Sequence, residues 1–372
     1  MKNEHLPALT GLRFFLALWV ILHHLTGPGT ELDRAAQGLP HPMYAFIRGG
    51  YLAVATFFVL SGFVLARSYG SGEWHGERLR RYAVARFARI YPVYALSLAL
   101  VVPFMIAYRA PGKPGLIVNY GLLLQGWTGH LPVGWNTPAW SLSCEVFFYI
   151  CFPLALIVLV RIHPAALAVA ACLLTRALFL FGLRDEWKPL VHFADFLMGM
   201  AASSLYDLLK QSRWRGAGYW LYLPGAFLGA ALIAWPQVLP RGLDLNTALR
   251  PLNAMLLVGL ALGTGLTARL LASAPAVFLG KASYAMYILH IPVLWWMKRW
   301  APHVSPASYV AAVILVSALV YRFYEEPVNR FVRGAGPSGP PPGFRPAPCC
   351  YNDPLIPKAS ALACIDLIQK SM

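Results

Sequence analysis

The sequence predicts an all-α fold, a polytopic membrane helix bundle of about ten transmembrane helices. Three observations predict this class. Hydrophobic residues make up 58% of the chain and charged residues only 12%, a composition that soluble globular domains do not have. Mean hydropathy is +0.55. Apolar runs long enough to cross a bilayer recur along the chain, and the basic residues are concentrated in the short segments between them.

The apolar runs give the predicted helices in order. The first run follows Lys2 without a small-residue cleavage site, so we expect a retained first helix and not a removed signal peptide. A shorter apolar segment, 116–127, is predicted to be interfacial or re-entrant because it is too short for a span. The ten runs cover residues 7–25, 51–66, 92–108, 140–160, 164–182, 189–206, 219–236, 252–268, 283–298 and 307–324.

The formal net charge of +16 is explained by topology better than by nucleic-acid binding, because the excess lies in short segments between apolar runs. With ten spans, the two most basic segments fall on one side, which the positive-inside rule assigns to the cytoplasm together with both chain termini. The basic residues of these two segments are Arg67, Arg78, Arg80, Arg81, Arg86 and Arg89, and then Lys210, Arg213 and Arg215.

The chain is predicted to have two parts, a membrane domain over 1–333 and a Pro/Gly-rich, disordered cytoplasmic tail over 334–372. The tail begins GAGPSGPPPGFRPAPCC, in which proline and glycine prevent a packed core. Six cysteines show no CxxC or Cys/His spacing, so we expect neither a metal site nor a disulfide framework. The chemistry is therefore expected within the membrane domain.

Two ionisable residues, Arg13 and His24, lie eleven positions apart on the first run. This spacing makes about three helical turns, so the side chains share a face and lie roughly 16 Å apart. An intramembrane arginine costs about 2.5–3.5 kcal/mol on insertion scales, which makes a functional role the default hypothesis. The alternative is that Arg13 reaches a lipid headgroup and His24 ends the helix at the far interface.

A second candidate is Glu145, in the stretch NTPAWSLSCEVFFYICFP that begins at Asn136. Ser141 and Glu145 are four apart and share a helical face. This helix is predicted to begin on the side where the first helix ends, which places Glu145 at the depth of His24. A carboxylate beside a histidine fixes the imidazole tautomer and stabilises the imidazolium, so the pair is predicted to deprotonate a hydroxyl.

Two alternatives remain open for this stretch. In the first, Glu145 is a structural partner of an arginine. In the second, Ser141, Ser143 or Cys144 is an acyl-carrying nucleophile, although no nucleophile elbow surrounds them.

The motif RFARIYP contains Arg86 and Arg89 one helical turn apart, before a span expected to open at Tyr91 and Pro92. Two guanidiniums on one face can hold a phosphate or diphosphate in bidentate fashion. The alternative is ordinary positive-inside topology or contact with lipid headgroups.

Three further motifs are weaker. Ser61 and Gly62 in FFVLSGF favour close helix packing. His290 and Tyr287 lie within a span and are candidates to line an acceptor cavity, although a structural histidine is an equal alternative. The motif FYEEPVNRF, with Glu325 and Glu326 near Arg330, is interpreted as a cytoplasmic helix terminus.

The ordered set of motifs resembles the acyltransferase 3 family of integral membrane O-acyltransferases. It consists of an arginine with a histidine eleven positions on, FFVLSGF, RFARIYP, NTPAWSLSCEVFFY, SYAMYILHIP and EEP, spread over residues 6–331. The resemblance covers the whole membrane part.

This resemblance implies transfer of an acyl group, commonly acetyl, from acyl-CoA to a hydroxyl of a glycan, glycolipid or small-molecule acceptor in a bacterial cytoplasmic membrane. Acyl-CoA is then a co-substrate, with no permanently bound cofactor and membrane lipid as the surroundings. By the same resemblance, Arg13, His24 and Glu145 are catalytic candidates, and Arg86 and Arg89 engage the donor. Trp140, Ser141, Tyr287 and His290 are candidate substrate-binding residues.

The precise role of Arg13 is left open among a donor phosphate, the donor carbonyl and a neighbouring carboxylate such as Asp195. The rival functions are a glycolipid transporter and a noncatalytic subunit of a glycan-assembly complex. No internal repeat and no pair of matching broken helices supports the transporter.

Overall fold

A computed structural model describes residues 6–27, 31–70, 73–107, 114–128, 135–159, 162–182, 187–216, 218–301 and 303–334. The described part is 85% helical and contains no strand, which confirms the all-α class. The tail predicted from Gly334 lies outside the described residues, except for Gly334 itself.

Fifteen α-helices form the described part of the chain. They are α1 (Pro7–Leu25), α2 (Glu31–Gln37), α3 (His41–Arg48), α4 (Ala53–Tyr69), α5 (Gly76–Ala107), α6 (Pro114–Gly121), α7 (Trp140–Leu159), α8 (Pro164–Leu180), α9 (Lys188–Lys210), α10 (Tyr219–Ala234), α11 (Leu245–Ala261), α12 (Gly265–Leu271), α13 (Ala274–Trp300), α14 (Pro306–Val320) and α15 (Glu326–Val332).

The polytopic character is confirmed, but the count of ten spans is not. Among the described residues, six helical stretches are long and apolar enough to cross a membrane, and a seventh qualifies if the bent pair α11 and α12 is counted as one span. The remaining apolar helices include two of 10–17 residues, Pro164–Leu178 and Tyr219–Ala234. The six stretches are Pro7–Leu25, His41–Tyr69, Gly76–Ala107, Thr137–Ile157, Ala274–Trp300 and Pro306–Val332.

Two predicted boundaries are wrong. The third helix does not open at Pro92: α5 begins at Gly76 and continues through both Pro92 and Pro103. Arg86 and Arg89 therefore lie on a long helix and not in a loop. The run predicted as one span over 252–268 is interrupted, because the chain bends by 80° between α11 and α12. Gly263 and Gly265 at this bend have φ values of +73° and +86°, which glycine adopts without a Cβ clash.

The segment 116–127 contains the end of α6, a helix of only eight residues. At 1.5 Å per residue, such a helix is much shorter than the hydrocarbon core of a bilayer. This agrees with the prediction that the segment does not form a full span.

The core is built around α4 and α9, whose backbones touch at two glycines. A Cβ atom on Gly62 would lie 2.0 Å from the carbonyl oxygen of Phe196, and one on Gly199 would lie 1.9 Å from that of Val59. Gly62 thus has the packing role that the sequence suggested. Aromatic side chains extend this contact to α7, where the rings of Phe148 and Phe58 are 5.1 Å apart.

We expect Gly199→Ala to lower the stability of the folded protein by about 1–3 kcal/mol, because the added methyl group must displace backbone of α4. Thermal unfolding of the purified protein in detergent, followed by intrinsic fluorescence, measures the change. Gly229→Ala is the matched control, since a Cβ there lies 3.7 Å from the nearest side chain, that of Leu249. Equal unfolding midpoints for the two variants would show that the α4 and α9 contact is not tight.

Candidate active site

A cavity of about 560 Å³ lies where the end of α1 meets the start of α7. A sphere of this volume is about 10 Å across, which is enough for a small organic substrate. The side chains around it come from α1, α4, α7, α8, α9, α11 and α13. Its polar and aromatic lining consists of His23, His24, Tyr51, Thr137, Trp140, Thr175, Lys188, His192, Asp244, Asn246, Arg250 and Tyr287.

His24 lines this cavity near the end of α1. Its Nδ1 atom lies 2.9 Å from the carbonyl oxygen of Val20, one helical turn earlier. Since a carbonyl oxygen can only accept, this contact fixes the proton on Nδ1 and leaves a lone pair on Nε2. His24 thus has the tautomer that a general base requires.

His23 also lines the cavity, which the sequence did not indicate. Its Nδ1 atom lies 2.6 Å from the carbonyl oxygen of Arg48, and its ring centroid is 5.3 Å from that of His24. The side chain of Arg48 in turn donates a hydrogen bond to the carbonyl oxygen of Thr26, which follows α1. His23 is therefore held against the segment that joins α3 to α4.

The four candidate substrate-binding residues lie together near the two histidines of α1 and the start of α7. The rings of His24 and His290 are 4.9 Å apart. His290 is fully buried, and its Nδ1 atom lies 2.7 Å from the carbonyl oxygen of Tyr287. The hydroxyls of Tyr287 and Ser141 each donate a hydrogen bond of 3.0 Å to the carbonyl oxygen of Pro138. Trp140 lines the cavity directly.

The predicted pairing of His24 with Glu145 is not formed. The start of α7 does reach the cavity of His24, through Thr137 and Trp140. Glu145, however, lies five residues further into α7, about 7.5 Å along the axis from Trp140. It lines a second, smaller cavity of about 30 Å³ together with Arg13. Its carboxylate accepts a hydrogen bond of 3.0 Å from the hydroxyl of Tyr149.

The second cavity adjoins a cluster of buried charges. Glu145 lies close enough to interact electrostatically with Arg13, Arg86 and Arg89. Glu325 interacts in the same way with Arg13 and Arg89. Three guanidiniums therefore face two carboxylates, which leaves one positive charge in excess. Tyr287 lines both cavities, so the cluster lies next to the histidine cavity.

Arg13 thus has Glu145 and Glu325 as neighbouring carboxylates, and not Asp195 as one alternative proposed. Asp195 instead bonds to Arg250 of α11 and to His192 of its own helix, α9. The Nε atom of Arg13 is buried and has no hydrogen-bond partner among the described residues. This donor is available to a ligand.

Glu325 belongs to the motif interpreted as a cytoplasmic helix terminus, and its side chain lies inside the bundle. It is only 2% exposed and accepts a hydrogen bond from Nη1 of Arg89. It is the last residue of a π-helical turn over Tyr321–Glu325, between α14 and α15. As expected, the Glu326 carboxylate contacts the Arg330 guanidinium, with an oxygen–nitrogen distance of 2.6 Å.

Arg86 and Arg89 lie on the same side of α5 but have different surroundings. The Arg86 guanidinium carbon is 5.5 Å from the ring centroid of Tyr149 and 5.6 Å from that of Tyr69. Arg89 lies over the ring of Tyr284, at 4.9 Å. The Nε atom of Arg86 and the Nη2 atom of Arg89 are buried without a partner among the described residues. Both arginines therefore keep donors for a further acceptor.

Sequence reasoning missed a histidine in the cavity wall, His192 of α9. Its Nδ1 atom lies 2.8 Å from Oδ2 of Asp195, which is fully buried. The other oxygen of Asp195 accepts a 2.6 Å hydrogen bond from Nε of Arg250, itself 1% exposed. The available signal was a histidine and an acid three residues apart within an apolar run, which places both on one helix face.

A family model and two named acyltransferases match most of this chain. A family model described as an acyltransferase domain, that of the acyltransferase 3 family, matches residues 6–324. Acyltransferase MdmB of Streptomyces mycarofaciens is 30% identical over 394 residues, covering 92% of this chain and 97% of MdmB. O-acetyltransferase OatA of Staphylococcus aureus is 22% identical over 381 residues, covering 88% of this chain and 58% of OatA. No solved structure matches the chain.

The fold and the matched family define an integral membrane enzyme that transfers acyl groups. The chain belongs to the acyltransferase 3 family.

Proposed function

We propose that the protein moves an acyl group, acetyl in the simplest case, from acyl-CoA to a hydroxyl of a glycan, glycolipid or other extracytoplasmic or lipophilic acceptor. The observation that carries this proposal is His24, which lines a cavity of substrate size with its proton fixed on Nδ1. The name of OatA, an O-acetyltransferase, supports hydroxyl as the acceptor group.

His24 acts first as base and then as acid. Its Nε2 atom takes the proton of the acceptor hydroxyl while the oxygen attacks the thioester carbonyl carbon. The resulting tetrahedral intermediate collapses, the carbon–sulfur bond breaks, and the CoA sulfur leaves with the proton that His24 gives back. The products are an ester and free CoA. The carbonyl oxygen of Val20 takes the orienting role that was first assigned to Glu145.

The donor is held at the charge cluster. Arg86 and Arg89 bind the CoA phosphates through the donors that the protein leaves unpaired, and the single excess positive charge favours an anionic ligand. The thioester then passes Arg13 and Glu145 to reach the cavity of His24, since Tyr287 lines both spaces.

We place the protein in a bacterial cytoplasmic membrane with both termini in the cytoplasm. The positive-inside rule supports a cytoplasmic start of α5, because Arg78, Arg80 and Arg81 lie in its first turns. In this arrangement, the enzyme connects cytosolic acyl-CoA with an acceptor at the opposite end of the bundle.

We expect Arg86→Ala to raise the apparent KM for acyl-CoA about tenfold with a smaller change in kcat, because a phosphate contact stabilises ground and transition states alike. Lysine at this position should rescue only in part, since it lacks the planar fork. Initial rates of CoA release at varied acyl-CoA measure the effect.

Arg81→Ala is the matched control on the same helix, because the Arg81 side chain is 70% exposed and pairs with Glu77. If Arg86→Ala and Arg81→Ala bind acyl-CoA equally well in calorimetry, the donor site lies elsewhere.

The proposal as a whole is tested by mass spectrometry of surface glycans, lipids and secreted metabolites. A deletion strain is compared with the same strain complemented by the wild-type gene. We expect one class of molecule to lose a single acyl mass on deletion and to regain it on complementation. Identical spectra from the two strains would reject the proposed function.

A further inference from the structure

One of the three imidazoles that line the cavity, that of His192, is held in orientation by buried charged residues behind it. His192 lines the cavity beside Trp140, with the two ring centroids 5.5 Å apart. Its side chain is 15% exposed, and its Nδ1 atom faces the fully buried Asp195 carboxylate. The ring is therefore held in place while one edge remains accessible.

The network behind His192 sets its tautomer. Asp195 accepts from Nε of Arg250, and Nη1 of Arg250 donates to the hydroxyl of Thr175 over 2.7 Å. A carboxylate bound to a guanidinium is ionised and can only accept, so the Nδ1 atom of His192 carries the proton.

Three imidazoles line this cavity, those of His23, His24 and His192, and acyl transfer to a hydroxyl uses only one of them for the proton. No described residue forms a hydrogen bond with Nε2 of His192, and the ring lines the cavity, so this atom is accessible to a ligand.

We propose that His192 is an acceptor-positioning residue that binds a second hydroxyl of the acceptor, close to the hydroxyl that is acylated. The acceptor class is therefore a molecule with neighbouring hydroxyls, such as a sugar ring or another polyol, and an acceptor with one isolated hydroxyl is bound weakly. The cavity, about 10 Å across, accommodates one such ring. This inference rests on the proposed function.

Two substitutions of His192 separate the roles of its two ring nitrogens. The amide of His192→Asn occupies the position of Nδ1 and keeps the contact with Asp195, but nothing replaces Nε2. The longer His192→Gln brings its carbonyl oxygen to the position of Nε2, where it accepts a hydrogen bond but cannot take a proton. His163→Gln is the control, because His163 lies in an exposed turn before α8.

The assay uses the purified full-length protein in nanodiscs with [14C]acetyl-CoA as donor. The acceptor probe is a methanol extract of the host cells and medium, used as a dilution series. Label in products and released CoA are both measured, which gives kcat and an apparent KM for each substrate. Size-exclusion profiles establish that each variant is folded.

We expect His192→Asn to raise the apparent KM for the acceptor extract about tenfold, with the KM for acetyl-CoA unchanged. His192→Gln should stay within about threefold of wild type in both constants. An acceptor KM in His192→Asn equal to that of the control would overturn the inference. So would an equal loss of kcat in both variants with unchanged acceptor KM, because that result assigns proton transfer to His192. Absence of labelled product with wild-type protein would mean that the proposed function itself fails.

Discussion

His24→Ala should reduce acyl transfer by about two to four orders of magnitude while the protein still folds, because a base at the end of α1 contributes to chemistry more than to packing. Its ring contacts His290 and the backbone of Val20 but makes no ion pair among the described residues. Transfer of label from [14C]acetyl-CoA, normalised to folded protein, measures the loss. His163→Ala, in an exposed turn, is the neutral control.

His23 is the rival base, since it lines the same cavity and also has Nδ1 at a backbone carbonyl. His24 is favoured because its ring lies against His290, which is fully buried, and because it stands eleven residues from Arg13 in the family pattern. We expect His23→Ala to keep most of the activity. Equal losses in His23→Ala and His24→Ala, or loss of the folded protein in place of turnover, would contradict the assignment.

Removing Asp195 should have the largest effect on stability. Arg250 is 1% exposed, and Asp195→Leu leaves its guanidinium buried beside Thr175 without a carboxylate partner. Breaking a buried ion pair in this way costs about 3–5 kcal/mol. Thermal unfolding in detergent, with the yield of monodisperse protein, is the measurement.

The double variant Asp195→Leu with Arg250→Met tests whether the stability is lost through the unpaired charge of Arg250 or through the changed shape of the side chain at position 195. Because replacing both members of a buried pair by apolar residues is often neutral, the double variant should recover most of the lost stability. Arg330→Met is the matched control for a solvent-exposed pair, with a change below about 1 kcal/mol, since the Arg330 side chain is 58% exposed. A single Asp195→Leu variant as stable as wild type would show that the network behind His192 is not structural.

Local sequence patterns predicted the features that lie within a single helix. The run at 7–25 gave α1 with the bounds that the structure has, and the eleven-residue spacing identified Arg13 and His24. The prediction that the start of α7 lies at the depth of His24 agrees with Trp140 and His24 lining one cavity. These features follow from helical periodicity and length alone.

The wrong predictions concern features that the hydrophobic periodicity of the sequence does not reveal. Pro92 was interpreted as a helix start, yet α5 continues through it, as helices packed in a bundle can. The π turn over Tyr321–Glu325 is another such feature, and Glu325 at its end is buried and accepts a hydrogen bond from Arg89.

Contacts between helices that are distant in the sequence are the other features that the sequence did not predict. Glu145 lies on the predicted helix but lines a different cavity from His24, because the depth of a side chain depends on where the helix begins. The network of His192, Asp195 and Arg250 joins positions 55 residues apart in sequence, which no local spacing reveals.

The central claim is that an acyl group leaves acyl-CoA and becomes an ester on an acceptor, through His24. The most direct measurement reconstitutes wild-type and His24→Ala proteins in nanodiscs with [14C]acetyl-CoA and the acceptor extract, and compares released CoA thiol with label in product. We predict equal amounts of thiol and labelled product for wild type, and neither above background for His24→Ala. Label that stays in acetyl-CoA with wild-type protein, or transfer that persists in His24→Ala, would contradict the account.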